Sequence, residues 1–531
     1  MQMEWLLNLS LSNWFLAVLP LFILLMLMMT GKISAARAAI LAYSSSVVIG
    51  IVIFGSNGSL ILVASLKGLS LSFFVLAIIW ASVFLYNIVN DVGGMSAIGQ
   101  HLLKVTDDKT IHALLLGWCF AGFIQGVTGF GVPVAVVVPL LVMSGIGAVP
   151  ATTAALIGHS WAVTFGSLGS SYYSIQLVSG ISGSVIAPAM ALMFIIPVLM
   201  TGFAVAHITG GMAATRRLSG VILIVGLTMA GTSWAMTVIG VPQLASTVAG
   251  LVGCGLVWSW IRFSRKETLE VPEGEHRSTT TPLDESPKIG FHKSFAAYYV
   301  IFGLTSIAQL PGLNQFLSRF SWGVNYPETA TSYDFTMPAA TNYAAFEFFA
   351  HPAPLIILSA IVTLAVFRRS VDEPLRFAGN VLRKTYAQSV SSTIAVSFMV
   401  AMALVMQHSG MTEMIAQGIA VGSGTLFPVI SPFLGLLGAF MTGSNTNSNV
   451  MFGALQVETA RTLAINPVVI ASAQSIGGSL GSAVTPAKVL LGTTLLGIAG
   501  QEGSILRKGL TYCIPMVLVV GVETIIASRL F

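Results

Sequence analysis

The chain has 531 residues, 55% of them hydrophobic and 8% charged, with a net charge of +5. Soluble proteins carry roughly 25% charged residues, so this composition, with a mean hydropathy of +0.87, argues against a string of soluble domains and for one polytopic membrane domain. The basic residues fall in short loops, as a positive-inside bias requires, which removes the case for nucleic-acid binding.

No cleavable signal is evident, and the stretch from Trp14 to Met29 reads as a first helix that stays. A crossing helix needs about 20 apolar residues. Clear candidates are 11–30, 35–55, 69–90, 186–208, 219–239, 242–262, 293–310, 353–368, 385–407 and 509–529. Shorter or broken ones are 111–127, 131–147, 151–169, 421–440, 447–456, 466–484 and 488–499. The expectation is an all-α polytopic membrane protein with 12 to 14 transmembrane helices, two structural repeats, broken helices and re-entrant hairpins. The segment 170–185, rich in Gly, Ser and Tyr, reads equally as a re-entrant hairpin or a loop.

Lys32, Arg37, Lys104, Lys109, Arg216, Arg217, Arg262, Arg265, Lys266, Arg368, Arg369, Arg376, Arg383 and Lys384 mark one side, the cytoplasm, when helices are counted between them. The N-terminus then lies outside, as does the 311–352 connection. The polar segment 264–292 reads as a cytoplasmic linker between two halves, 1–263 and 293–531.

Each half carries a glycine-rich polar interruption. The first reads Gly-Phe-Ile-Gln-Gly-Val-Thr-Gly-Phe-Gly-Val-Pro at 122–133, then Gly-Ser-Leu-Gly-Ser at 166–170. The second reads Met-Thr-Gly-Ser-Asn-Thr-Asn-Ser-Asn at 441–449, then Gly-Ser-Leu-Gly-Ser at 478–482. Both place a Thr-Gly step roughly 35 residues before the pentapeptide. Polar backbone survives at membrane depth only when buried in protein or lining a wet cavity. Paired interruptions in two halves point to a carrier's substrate site.

The candidate binding residues are Gln125, Thr128, Gly129, Gly131, Ser160, Thr442, Asn445, Thr446, Asn447 and Lys488. A helix restarting at Pro133 offers free N–H groups and partial positive charge to an anion, although the same glycines also permit close helix packing. The 442–449 run reads as a site-lining tip or as a loop. His159, inside an apolar stretch, is the proton-coupling candidate or a structural hydrogen-bonding histidine. Lys488 is a counter-charge to an anionic substrate, or a lysine snorkelling from a helix start. Cys119, Cys254 and Cys513 lie far apart and suggest neither a zinc site nor a disulfide. No HExxH, Walker A or Gly-x-Ser-x-Gly pattern occurs, so neither an enzyme, a cofactor nor a metal is expected.

These blocks resemble the lactate permease family, carriers of L-lactate, D-lactate and glycolate in bacteria and archaea. Gly-Phe-Gly-Val-Pro at 129–133 is similar to the family's Gly-Phe-Gly-Ala-Pro. Ala-Thr-Asn-Tyr-Ala-Ala at 340–345 resembles its Ala-Thr-Ala-Tyr-Ala-Ala, and Phe433 to Ser444 resembles its entry into the second polar run. The resemblance implies a secondary active transporter in a prokaryotic plasma membrane. It would import small 2-hydroxy monocarboxylates by alternating access, with a co-transported proton. The chain departs from the family pattern at four positions: Gln125 and Ala339 stand where the family has Glu, Asn445 where it has Asp, and Lys488 where it has Gln. Loss of these acids opens the alternative of a sodium-coupled or uncoupled carrier of another organic anion, such as a sulfonate or a longer carboxylate.

Overall fold

The computed structural model describes residues 11–29, 33–103, 105–129, 131–264, 290–308, 310–371, 373–498 and 500–530. Most of the expected linker at 264–292, and Lys32, Lys104, Arg265 and Lys266, lie outside the described residues. The chain is an all-α, multi-pass membrane protein. Among the described residues, ten helices are long and apolar enough to cross a membrane. Three shorter apolar helices, Val132–Met143, Ala296–Ala308 and Pro352–Phe367, accompany them.

This tally is lower than a count of apolar stretches because some stretches join end to end. Gly183–Val238 is one continuous run, yet Gly211 within it adopts φ 67, ψ −166. Only glycine takes that backbone region readily. The kink falls between the expected spans 186–208 and 219–239. The segment 170–185 resolves in favour of helix: Gly166–Ser179 is helical, and a turn leads to the next helix at Gly183.

The 311–352 connection contains strands that the apolar count did not foresee. β1 (Ser321–Tyr326) pairs antiparallel with β4 (Ala340–Glu347), with Ser321 opposite Glu347 and Tyr326 opposite Ala340. β2 (Thr329–Ala330) pairs with β3 (Thr336–Met337). This small β unit meets the start of the helix Gly58–Asp91, where Ser332 N donates to Gly55 O at 2.9 Å.

Helices from both sides of the segment 265–289 share one apolar core. The helix Gly58–Asp91 places Ala64, Leu71, Val75 and Ile79 with Ala395, Val396, Met399 and Val400 of the helix Pro374–His408. Asp91 and Lys384 close the far end of this pair at 2.5 Å.

Four polar interruptions organise the centre. A first hairpin runs from Lys109–Val127 through a tip that includes Thr128, Gly129 and Gly131 into Val132–Met143. A first broken helix follows: Ala148–Gly158, a short 3-10 turn at Ser160–Ala162, then Gly166–Ser179. The second half repeats the order. Its hairpin is Phe427–Thr442, a tip at 443–444 and Asn445–Thr462. Its broken helix is Pro467–Gly481, Ser482–Val484 and Pro486–Leu496.

The two hairpins open toward opposite ends of the bundle. At the first base, the side chain of Lys109 lies against Gly145. The first broken helix leaves that base at Ala148 and ends at Ser179, which shares a surface pocket with Glu458 and Arg461 near the second base. The two sets are therefore inverted with respect to each other, and both tips meet both breaks midway.

Candidate functional site

The first tip turns sharply at Thr128 and Gly129. Gly129 has φ +68, and a Cβ there would lie 1.9 Å from Ser167 Oγ. Glycine is required both by the left-handed backbone and by the close approach. Ser167 in turn donates to Thr128 O at 3.2 Å. Ser167, Leu168 and Gly169 all have positive φ (49, 50 and 85). Non-glycine residues held there each cost ~1–3 kcal/mol, so the surrounding contacts must hold this turn in place.

The second tip is secured differently. Ser444 caps the helix Asn445–Thr462 by accepting from Asn447 N at 3.4 Å. Thr442 Oγ1 accepts from Ser444 N at 3.2 Å and itself donates to Gly438 O at 2.7 Å.

Polar contacts then sew each half to the other. Asn445 Nδ2 donates to Thr164 Oγ1 at 3.0 Å, and Thr164 Oγ1 donates to Ser475 O at 3.0 Å. Thr164 N donates to Ser479 Oγ at 3.2 Å, while Ser479 Oγ donates to Ser160 O at 2.6 Å. Asn449 Nδ2 bridges Ser171 O at 2.9 Å and Ser475 Oγ at 3.0 Å. Ser171 Oγ and Thr446 Oγ1 lie 2.9 Å apart. Behind them Ser431, Gln456 and Gln474 are hydrogen-bonded in a row. Broken backbone at this depth is thus satisfied inside the protein.

A cavity of about 240 Å³ opens where these pieces meet. Gly131, Thr442, Thr446, Asn447 and Lys488 line it, together with Ser391, Ser392 and Ala35. The first turns of four helices contribute to its wall. They are Ala35–Val52, Val132–Met143 (through Gly131), Asn445–Thr462 and Pro486–Leu496. Each helix N-terminus carries partial positive charge from unpaired N–H groups. No Asp or Glu lies among the lining residues. The wall is therefore electropositive and suited to a small anion.

Lys488 adds an amine to that wall. Only 8% of its surface is exposed. Its Nζ lies 3.4 Å from His159 Nε2, and the other ring nitrogen, His159 Nδ1, is 2.7 Å from Ala155 O. A carbonyl can only accept, so Nδ1 carries the hydrogen and Nε2 turns a lone pair to the amine. His159 stands directly behind Lys488.

The other predicted residues occupy the surroundings of this cavity. Thr128 lines an adjoining cavity of about 250 Å³ with Tyr86, Gln388 and Ser389. Gln125 is buried beside Gly166, and its Oε1 has no hydrogen-bond partner among the described residues. Gly129 underlies Ser167. Asn445 points into the seam between the halves at Thr164, and Ser160 accepts from Ser479 there. The sequence reading passed over Ser391 and Ser392. The polar triplet Ser391-Ser392-Thr393 within an otherwise apolar span was the available signal. It also passed over Lys67, which is buried on the helix Gly58–Asp91, 3.4 Å from His408 and near the rings of Tyr326 and Tyr343.

The two Gly-Ser-Leu-Gly-Ser segments differ in conformation. The first starts the outgoing half of its broken helix with a left-handed turn. The second closes the incoming half, with Gly478–Gly481 inside the helix Pro467–Gly481. The Thr-Gly steps at 128 and 442 do correspond, each lying at a hairpin tip.

A Streptococcus iniae protein named L-lactate permease is 28% identical over 461 residues, covering 85% of this chain and 92% of its own. One of the same name from Halalkalibacterium halodurans is 24% identical over 531 residues, covering 97% of each. The glycolate permease GlcA of Escherichia coli is 24% identical over 477 residues, covering 86% of this chain and 84% of its own. In structure, the YdaH transporter of Alcanivorax borkumensis aligns over 88% of this chain and 86% of its own, with 14% identity and a TM-score of 0.48. The family model described as L-lactate permease matches residues 13–531, and the chain belongs to that family.

Proposed function

We propose that this protein is a secondary active transporter that imports small 2-hydroxy monocarboxylates, lactate or glycolate, together with protons. The observation that carries this reading is a carboxylate-free cavity whose wall combines Lys488 with four helix N-termini. A buried ammonium without a counter-ion is costly, and a substrate carboxylate relieves that cost. Lys488 and the N–H groups at 445 and 446 hold the carboxylate in this reading. Thr442, Thr446 and Asn447 meet the 2-hydroxyl. The names of the relatives, lactate and glycolate permeases, support the same substrate class.

The inverted hairpins support alternating access, because movement of one set against the rest opens the shared centre to either end. The setting in this reading is the plasma membrane of a prokaryote, with the N-terminus outside and the basic loops in the cytoplasm. The test is uptake of labelled L-lactate and glycolate into proteoliposomes, with and without an inward proton gradient. Saturable uptake stimulated by the gradient is expected. Its absence for both acids would overturn the reading.

One observation favours a second coupling ion. Gln125 Oε1, Asn445 Oδ1 and Asn449 Oδ1 are buried acceptors without donors among the described residues. Uncharged oxygens of this kind suit a hard monovalent cation beside unwound helix ends. Sodium coupling predicts that replacing external sodium with choline abolishes concentrative uptake; proton coupling predicts no change.

A further inference from the structure

Lys488 and His159 meet from opposite halves of the chain. With Nδ1 committed to Ala155 O, the His159 ring can accept a hydrogen bond at Nε2 from either an ammonium or a neutral amine, since both carry N–H groups. A second proton on the imidazole would instead set two positive groups 3.4 Å apart. The pair therefore holds at most one added proton, and it resides on Lys488. The contact itself survives both states.

The remaining walls give that proton no other home. The helices Ala35–Val52, Gly58–Asp91, Val132–Met143, Pro374–His408, Phe427–Thr442 and Asn445–Thr462 turn no titratable side chain into this cavity among the described residues. Glu502, from the helix that follows, is engaged by Thr493 Oγ1 and Gly500 N, both at 2.8 Å. A carboxylate bound in the cavity attracts the protonated amine, and by reciprocity the protonated amine attracts the carboxylate.

We propose that Lys488 is itself the proton-coupling group, crossing as an ammonium paired with the substrate carboxylate and returning empty as the neutral amine. On the loading side the amine lone pair takes a proton from water and forms an N–H bond. After the carboxylate departs on the other side, that bond breaks and the proton passes to water. The loaded site has charge +1 − 1 = 0 and the empty site has charge 0. One proton thus accompanies each anion, and neither step moves net charge through the low-dielectric centre. His159 positions the amine in both states. This inference rests on the carrier reading above and names the residue that does its coupling.

The test pairs transport with proton counting. Arginine at 488 keeps the cation but does not release its proton in proteins. Whatever exchange of labelled for unlabelled lactate the Lys488→Arg protein retains across proteoliposomes is therefore expected to be uncoupled, with no accumulation driven by a pH gradient. Lys488→Arg protein that exchanges and still accumulates lactate as wild type does would overturn the proposal and leave the carrier reading standing. Wild-type protein that neither exchanges nor accumulates lactate or glycolate would overturn both. A second measurement needs no transport by a variant. Calorimetric lactate binding to wild-type protein, in buffers of different ionisation enthalpy, is expected to show proton uptake that rises toward one per anion from pH 7 to pH 9. His159→Gln should retain that uptake. Binding without proton uptake, or uptake lost with His159→Gln, would overturn the assignment to Lys488.

Discussion

Asn445 Nδ2 donates to Thr164 Oγ1 at 3.0 Å, so the tip of the second hairpin is fastened to the break in the first broken helix. Thr164 passes the connection on to Ser475 in the second broken helix. Two of the four central interruptions and the incoming half of the second broken helix are thereby held in one chain of hydrogen bonds. Replacing Asn445 by Ala removes this bond while Thr164 Oγ1 keeps its bond to Ser475 O, at a cost of ~0.5–1.5 kcal/mol. Thermal unfolding in detergent should move down accordingly, with lactate uptake reduced in the same variant. An unchanged melting temperature would show that the seam does not depend on this bond.

Gly129→Ala should be more damaging than its size suggests. The new methyl group meets Ser167 Oγ, and the residue must keep φ +68. The backbone term alone is ~1–3 kcal/mol. Ser167→Gly removes the clash but not the backbone term, so the double variant should recover part of the lost folded protein. Size-exclusion yields of the two single variants and the pair measure this; no recovery would locate the whole cost in the backbone.

Lys488→Ala should raise the apparent KM for lactate about ten- to a hundredfold, corresponding to the ~1.5–3 kcal/mol of a charge-assisted hydrogen bond. Initial-rate uptake over a wide concentration range checks it. Wild-type kinetics in this variant would remove Lys488 from the substrate site.

Lys67 predicts a different phenotype. Its ammonium lies 5.7 Å from the Tyr343 ring and 6.0 Å from that of Tyr326, both on the β unit. His408, which it contacts, also hydrogen-bonds Thr329 of β2 at 2.8 Å. Lys67→Met keeps most of the volume and removes the charge, losing ~0.5–2 kcal/mol of cation–π attraction. Limited proteolysis within 321–347 should accelerate while the KM for lactate stays within about twofold, a change of ~0.4 kcal/mol. A large KM change would instead tie Lys67 to substrate entry.

The membrane class, the two hairpin tips and five residues of the cavity wall, Gly131, Thr442, Thr446, Asn447 and Lys488, were legible because each leaves a local mark. A Thr-Gly step inside an apolar run has few uses other than a turn at depth, and both such steps, at 128 and 442, are hairpin tips. The repeated pentapeptide was a weaker guide. Five residues do not fix a conformation, and their surroundings drive one copy into a left-handed turn and the other into a helix. The meeting of His159 with Lys488 could not be read at all, because 329 residues separate them and only tertiary packing brings them together. The β unit escaped notice for another reason: β1 and β4 are half-buried along most of their length and so show no clean apolar alternation.

The cavity wall is made largely of glycine, alanine, serine and threonine. Such side chains have few rotamers to lose, so ordering them around an incoming anion carries little entropic penalty. The recognition surface is in effect already rigid before the ligand arrives. Lys488 is the exception, with four methylene groups free to turn unless His159 restrains the amine. Selectivity among acids of similar size should then follow the placement of charge and hydroxyl, with little adaptation of the wall to longer chains.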